Sequence, residues 1–190
     1  MRRLSLVRHG PTHAKTMVGW SDLPADLSDT AAIARLSAHL PQDALVISSD
    51  LSRAAATADA IQGSRARLPH DPGLREMNFG DWELQRFDEV EDQETYRAFW
   101  ETPGDVSPPN GESWHTLEAR VGKAVDTALA AYPDKDLIVV AHFGAILTQL
   151  QRSEKLTAYE AFGHRIDNLS VTEIDIDASG WTTKAINHTP

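Results

Sequence analysis

The sequence contains no cysteine. Disulfides, thiolate catalysis and cysteine-ligated zinc are therefore excluded. Basic residues are also scarce: 18 lysines and arginines stand against 28 aspartates and glutamates, for a formal net charge of −10. A general binder of nucleic acid or of an anionic membrane would show a broad basic face, so neither partner is expected. A small, focused positive pocket remains compatible with that charge. Long apolar runs are missing too: no stretch approaches the roughly 20 residues that span a bilayer. Met1-Arg2-Arg3 is followed by only the short apolar run Leu4 to Val7, too short for the apolar segment of a signal peptide. A cytoplasmic location is the expectation. There is no internal repeat, low-complexity tract or linker. The 190 residues, 41% of them hydrophobic, suit one domain able to bury a sizeable core.

The chain alternates between strand and helix signals. Leu4 to Val7, Ala44 to Ile47 and the continuous run "LIVVA" at 137–141 read as strands, the last of buried parallel type. Ala31 to Leu40 reads as a helix capped by Ser28 or Asp29. "SSDLSRAAATADAI" opens with capping residues and continues as an alanine-rich helix. Ala66 to Leu68 reads as a short edge strand. Residues 86–101 read as a short helical excursion, and "TPGDVSPPNGES" as a loop. Trp114, Leu117, Val121, Ala124 or Val125, and Ala128 recur at helical spacing, which predicts an amphipathic helix over 113–131. Gly144 to Leu150 reads as helical. Leu169–Ile176 and Trp181–Ile186 alternate around "DASG" and predict a hairpin. The expected fold is α/β: a three-layer sandwich whose mostly parallel sheet carries helices on both faces and a C-terminal edge hairpin. The expected organisation is a single domain over residues 1–190, with 84–112 as a substrate-side insertion. In this architecture ligands sit beyond the carboxyl ends of the strands.

Two segments share one design. "LSLVRHG" and "LIVVAHFG" each end an apolar run on a histidine with a glycine close behind. His9 and His142 therefore leave strand ends on the ligand side. A lone histidine at a strand end is more often a surface or hydrogen-bonded residue. Two in equivalent contexts, one preceded by Arg8, weigh against that. A metal site would need a third ligand at helical or hairpin spacing, and none lies near either histidine. Arg53 follows the second apolar run near a helix start, where amides and a guanidinium together favour an anion; as an isolated residue it would be read as solvent-facing. Glu76 stands among Leu74, Met77, Phe79 and Trp82. A carboxyl in such surroundings can serve as a proton donor, the plainer alternative being a salt bridge to Arg75 or an exposed loop glutamate. "DIDASG" begins like a calcium loop, but Ile186 stands where the ligating glutamate belongs. The five tryptophans are core or pocket-wall candidates.

Taken in order, "LVRHGPT", "SSDLSRAAATA", "LREMNFGDWE", "PPNGES" and "VVAHFG" resemble the signature segments of the histidine phosphatase superfamily, the phosphoglycerate mutase-like family. The resemblance runs from about residue 4 to residue 176. It implies that His9 is the nucleophile accepting a phosphoryl group, that Arg8, Arg53 and His142 bind the phosphoryl oxygens, and that Glu76 is the general acid, His142 counting among the catalytic set. It implies a small phosphorylated substrate and no cofactor or metal. Thr12, Lys15, Gly19 and Phe143 are the candidate substrate-binding residues. Gly10 is expected to let the backbone approach the phosphate. The chain departs from the family pattern at Pro11 and Lys15, in the longer loop "GWSDLPADLSD", and at Phe143. The leading expectation is a cofactor-independent phosphomonoesterase. An enzyme similar to the alpha-ribazole phosphatases of cobalamin assembly is the runner-up, on "FWETPGDVSPPNGES". A phosphoglycerate mutase and a non-catalytic phosphate-binding module are the remaining alternatives. The oligomeric state is left open, with a homodimer as one option.

Overall fold

The computed structural model describes residues Met1–Pro190. Five strands form one open sheet: β1 (Arg2–Arg8), β2 (Leu45–Ser48), β3 (Leu137–Ala141), β4 (Val171–Asp177) and β5 (Gly180–His188), in the spatial order β2-β3-β1-β4-β5. β1 and β2 both pair in parallel with β3, whereas β4 runs antiparallel to β1 and β5 antiparallel to β4. The sheet is thus mixed, with its three parallel strands on one side and the C-terminal hairpin at the edge.

Six helices cover it: α1 (Thr30–His39), α2 (Ser52–Ile61), α3 (Gln93–Glu101), α4 (Trp114–Ala131), α5 (Phe143–Glu154) and α6 (Ala158–Phe162). Successive strand residues point to opposite faces. Leu137, Val139 and Ala141 accordingly pack with α4 and α5, while Ile138 and Val140 pack with α1 and α2. This makes three layers. Trp114, Leu117, Val121, Ala124, Val125 and Ala128 are all buried on α4, as their spacing predicts. Asp29 caps α1 by accepting from the Ala32 amide at 3.0 Å.

Two local expectations are revised, and the hairpin around "DASG" is found as expected. Ala66–Leu68 is not an edge strand. It makes a single bridge, Val46 to Arg67, because the chain turns away after two backbone bonds to Val46. The helical excursion is confined to α3. Its inner side carries Tyr96, Phe99 and Trp100, which join an aromatic cluster with Phe79 and Trp82. The "DASG" segment is a hairpin turn in which Asp177 accepts from the amide and hydroxyl of Ser179. No helix is long and apolar enough to cross a membrane.

Candidate active site

The register of the parallel strands decides which side chains meet. Arg8 on β1 is paired with Ala141 on β3, so the next residues, His9 and His142, emerge side by side. Their ring centroids are 5.0 Å apart. On the other side of β3, Ser48 is paired with Val140, and Ser49 follows. Ser49, His142 and His9 therefore form a row across the ends of three adjacent strands. The Ser49 hydroxyl lies 2.6 Å from His142 Nε2.

Both imidazoles have defined tautomers. His9 Nδ1 lies 2.7 Å from the Gly10 carbonyl oxygen. That oxygen can only accept, so Nδ1 carries the proton and Nε2 the lone pair. Arg53 Nε donates to this lone pair at 3.3 Å. The Ser49 hydroxyl has no other acceptor and is fully buried. It therefore donates to His142 Nε2, which places a proton on His142 Nδ1. Nδ1 itself is buried without a partner. Burial holds the His9 pKa down at about 3 against the help of the Gly10 carbonyl, and Arg53 and Arg8 push in the same direction as burial. His142 is held well below the usual imidazole value, first by burial and then by His9 and the arginines. Both rings are neutral at ordinary pH.

Two arginines supply the positive charge. Arg53, only 1% exposed, is no solvent-facing helix residue. Besides reaching His9, it donates to the Ser21 carbonyl at 2.9 Å and the Gly19 carbonyl at 2.6 Å. Arg8 donates to the Ile166 carbonyl at 2.6 Å, and its Nε is buried without a partner. Its guanidinium sits 5.5 Å from the centre of the Phe143 ring.

Glu76 is 8% exposed and makes no salt bridge; Arg75 pairs instead with Asp50. One Glu76 carboxyl oxygen accepts from its neighbour Met77 N–H at 2.9 Å, the other from Gly144 N–H at 3.0 Å. A side chain at position 144 would stand 2.5 Å from Glu76 Oε1, so glycine is needed for this approach. The two other acids of this segment, Asp81 and Glu83, are otherwise engaged. Glu83 accepts from the amides of Gly19, Trp20 and Phe79 and from the Ser21 hydroxyl, clamping the loop. Asp81 accepts from Asn110.

Some expected contacts are corrected. The first amide of α2 is not free for an anion: Ser52 N–H is taken by Asp22 at 2.7 Å, and the helix has no capping side chain of its own. Gly10 also packs closely against the chain: a Cβ there would meet the Leu27 side chain at 2.6 Å and the Asp26 carbonyl oxygen at 3.1 Å. Thr12 is half-buried. Lys15 is exposed and makes no hydrogen bond or ion pair, so the structure does not bring it into the cluster. Gly19 enters through its backbone, between Arg53 and Glu83. Phe143 lies between Arg8 and an apolar cavity beside Glu76.

Four contributors escaped the sequence reading. Ser49 lies within a quoted motif, and a hydroxyl at a strand end was its only signal. Thr57 accepts from Gly10 N–H at 3.0 Å, Asn168 donates to the His9 carbonyl at 2.8 Å, and Trp20 Nε1 donates to the Glu76 carbonyl at 2.8 Å. These last three depend on tertiary placement alone. No set of three or more histidine, aspartate or glutamate side chains is arranged to hold a metal ion.

Comparison with known proteins agrees with this geometry. An adenosylcobalamin/alpha-ribazole phosphatase of Salmonella typhimurium is 31% identical over 195 residues, covering 97% of this chain and 96% of its own. A probable phosphoglycerate mutase of Proteus mirabilis is 30% identical over 95% of this chain and 88% of its own. The solved structure of Bacillus stearothermophilus YhfR superposes with a TM-score of 0.91 at 25% identity, covering 100% of this chain and 98% of that one. A mycobacterial glucosyl-3-phosphoglycerate phosphatase gives 0.86 at 26% identity, with both chains fully covered. A family profile described as histidine phosphatase superfamily (branch 1) matches residues 4–189, and with the paired strand-end histidines between two arginines it places the chain in that superfamily.

Proposed function

We propose that the chain hydrolyses small phosphomonoesters through a phosphohistidine at His9, and that residues 1–190 act as one catalytic domain with 84–112 forming its substrate-side wall. The observation that carries this reading is the His9 ring: its Nδ1–H is fixed on the Gly10 carbonyl, its Nε2 lone pair is free of protons down to about pH 3, and two arginines flank it.

Phosphoryl transfer depends chiefly on positioning and on charge stabilisation around three equatorial oxygens. Arg8 Nε and His142 Nδ1–H are donors without protein partners, suited to two of those oxygens, and Arg53 supplies a third contact. His9 Nε2 attacks phosphorus in line. The bond from phosphorus to the ester oxygen breaks, and that oxygen takes a proton from the Glu76 carboxyl. The imidazole becomes cationic as the N–P bond forms, which strengthens its Nδ1–H···O bond to Gly10. Water then attacks the phosphohistidine, gives a proton back to the Glu76 carboxylate, and releases phosphate and neutral His9.

A denaturing alkaline quench during turnover of a ³²P-labelled phosphomonoester should trap base-stable, acid-labile label on the protein, and His9→Ala should remove both label and turnover while circular dichroism stays native. Turnover by folded His9→Ala at wild-type rate would refute the mechanism. A finer reading, an alpha-ribazole phosphatase, is favoured by the full-length similarity to the Salmonella enzyme; direct assay of alpha-ribazole phosphate decides it.

A further inference from the structure

Next to Glu76 lies a cavity of about 30 Å³. Its walls include Phe79, Phe99, Trp100, Phe143 and Phe162, and Glu76 contributes the only ionisable side chain. The aromatic rings support one another: Trp100 stands 5.5 Å from Phe162 and 4.8 Å from Phe99, centre to centre. The cavity shares two walls with the phosphate site, Phe143 and Glu76. Phe143 lies under the Arg8 guanidinium, and the Glu76 carboxyl is held by the first turn of α5, just after His142. A group bonded to an ester oxygen that faces Glu76 would meet these two walls first.

We infer, resting on the phosphatase reading above, that the alcohol portion of the substrate is uncharged and apolar next to the ester oxygen, and that this cavity selects it against carboxylate-bearing phosphates. The volume suits a methyl or methylene group. The half-buried faces of Phe143, Trp100 and Phe162 continue the apolar wall for a longer chain or a ring edge. Water has few partners in such a space and is readily displaced by carbon. A carboxylate would enter with no cation to meet it. Arg8 and Arg53 serve the phosphoryl group, Arg120 is bonded to Glu112 and to the carbonyls of Gly73, Arg75 and Glu76, and Lys15 is exposed. A charged group of either sign would have to leave water for a space of methyl size whose walls are otherwise apolar, which is costly.

The test compares alkoxide esters of similar size in the wild-type protein: n-propyl phosphate, O-phosphoserine and O-phosphoethanolamine, then the series from methyl to n-butyl phosphate. Propyl phosphate should exceed both charged esters in kcat/KM by at least about tenfold. Each methylene that seats should raise kcat/KM by about three- to fourfold. Trp100→Leu and Phe162→Leu should flatten the alkyl series, mainly through KM. Preference for phosphoserine or phosphoethanolamine would overturn the inference. So would an equal loss on methyl and butyl phosphate in both variants, which would mark the aromatic cluster as purely structural. If neither variant folds, the wild-type comparison decides alone. Failure to turn over any ester would refute the phosphatase reading itself, and with it the inference.

Discussion

Replacing Glu76 by glutamine separates two things that this carboxyl does. Both of its oxygens accept from backbone N–H groups, Met77 at 2.9 Å and Gly144 at 3.0 Å. Glutamine offers one acceptor oxygen and one NH₂ donor. Whichever way the amide turns, a donor faces a donor, in a place where water is scarce. Leaving a buried donor unsatisfied costs roughly 1–3 kcal/mol. Glu76→Gln should thus lower the unfolding free energy by about that much in urea titration, although the substitution is nearly isosteric. Its catalytic effect should depend on the leaving group. An alkyl phosphate departs as a basic alkoxide and needs a proton in the transition state, whereas a nitrophenolate leaves with little help. General acid catalysis contributes about 10²–10⁴-fold. Alkyl phosphate turnover should fall by that factor and p-nitrophenyl phosphate turnover by far less, with burst kinetics confirming that phosphoryl transfer limits both. Equal losses on the two esters would remove Glu76 from the acid role. Wild-type stability would show that the carboxyl is not held by both amides.

Other consequences are open to direct measurement. Arg53→Ala should weaken competitive inhibition by vanadate by about 1.5–3 kcal/mol, the loss expected for a charged hydrogen bond. It should also speed hydrogen exchange in residues 19–22, where it holds the Gly19 and Ser21 carbonyls; unchanged vanadate affinity would exclude it from the anion site. Ser49→Ala should free His142 Nε2 to take the proton, seen in ¹⁵N shifts as a change of tautomer, with kcat falling about tenfold; an unaltered tautomer would refute the role given to Ser49. Acid should destabilise the fold through His9. Its folded pKa of about 3 lies below the ordinary 6.5, so the unfolded chain binds more protons between those values. Stability is complete above about pH 7 and falls as pH drops through that window, by about 2 kcal/mol at pH 5 from His9 alone. His9→Ala should show a correspondingly smaller difference in unfolding free energy between pH 7 and pH 5.

Local periodicity and strand-end chemistry made much of this legible beforehand. A run such as "LIVVA" with glycine soon after has few alternatives to a buried strand entering a helix, and it carries His142 with it. The hairpin followed from two-residue alternation around "DASG". What the sequence could not show is where distant groups would be satisfied. The α2 amide is capped by Asp22, thirty residues earlier in the chain. Glu83 looks like a second acid of the Glu76 segment, yet it serves as the clamp of the 19–21 loop. Residues 86–101 are polar in composition because Gln93, Glu94, Arg97 and Glu101 form the outer side of α3. The aromatic spacing Tyr96, Phe99, Trp100 was the signal that this segment packs inward, against Phe79, Trp82 and Phe162.

The proposed function asks an acidic chain to hold a phosphate, and the placement of its few cations suits that. Arg53 is buried and Arg8 half-buried, and desolvation lowers both pKa values from the usual arginine value. A guanidinium starts so high that it stays charged in spite of this. A lysine in the same position starts about two to three units lower and would be drawn toward neutrality by the same burial. The two histidines shift in the same direction with the opposite outcome: they lose their protons and stay uncharged, as the proposed nucleophile and neutral donor must. The same low-dielectric site thus sorts four basic side chains into two permanent charges and two uncharged imidazoles. The division follows from their intrinsic basicities. It also explains why donors are left unpartnered at Arg8 Nε and His142 Nδ1. A buried donor without an acceptor costs free energy, and a phosphoryl group brings three acceptor oxygens that would recover it. Under the proposed function, parallel-strand register holds these donors where a phosphoryl group would meet them, and the anion rather than the chain would complete their hydrogen bonds.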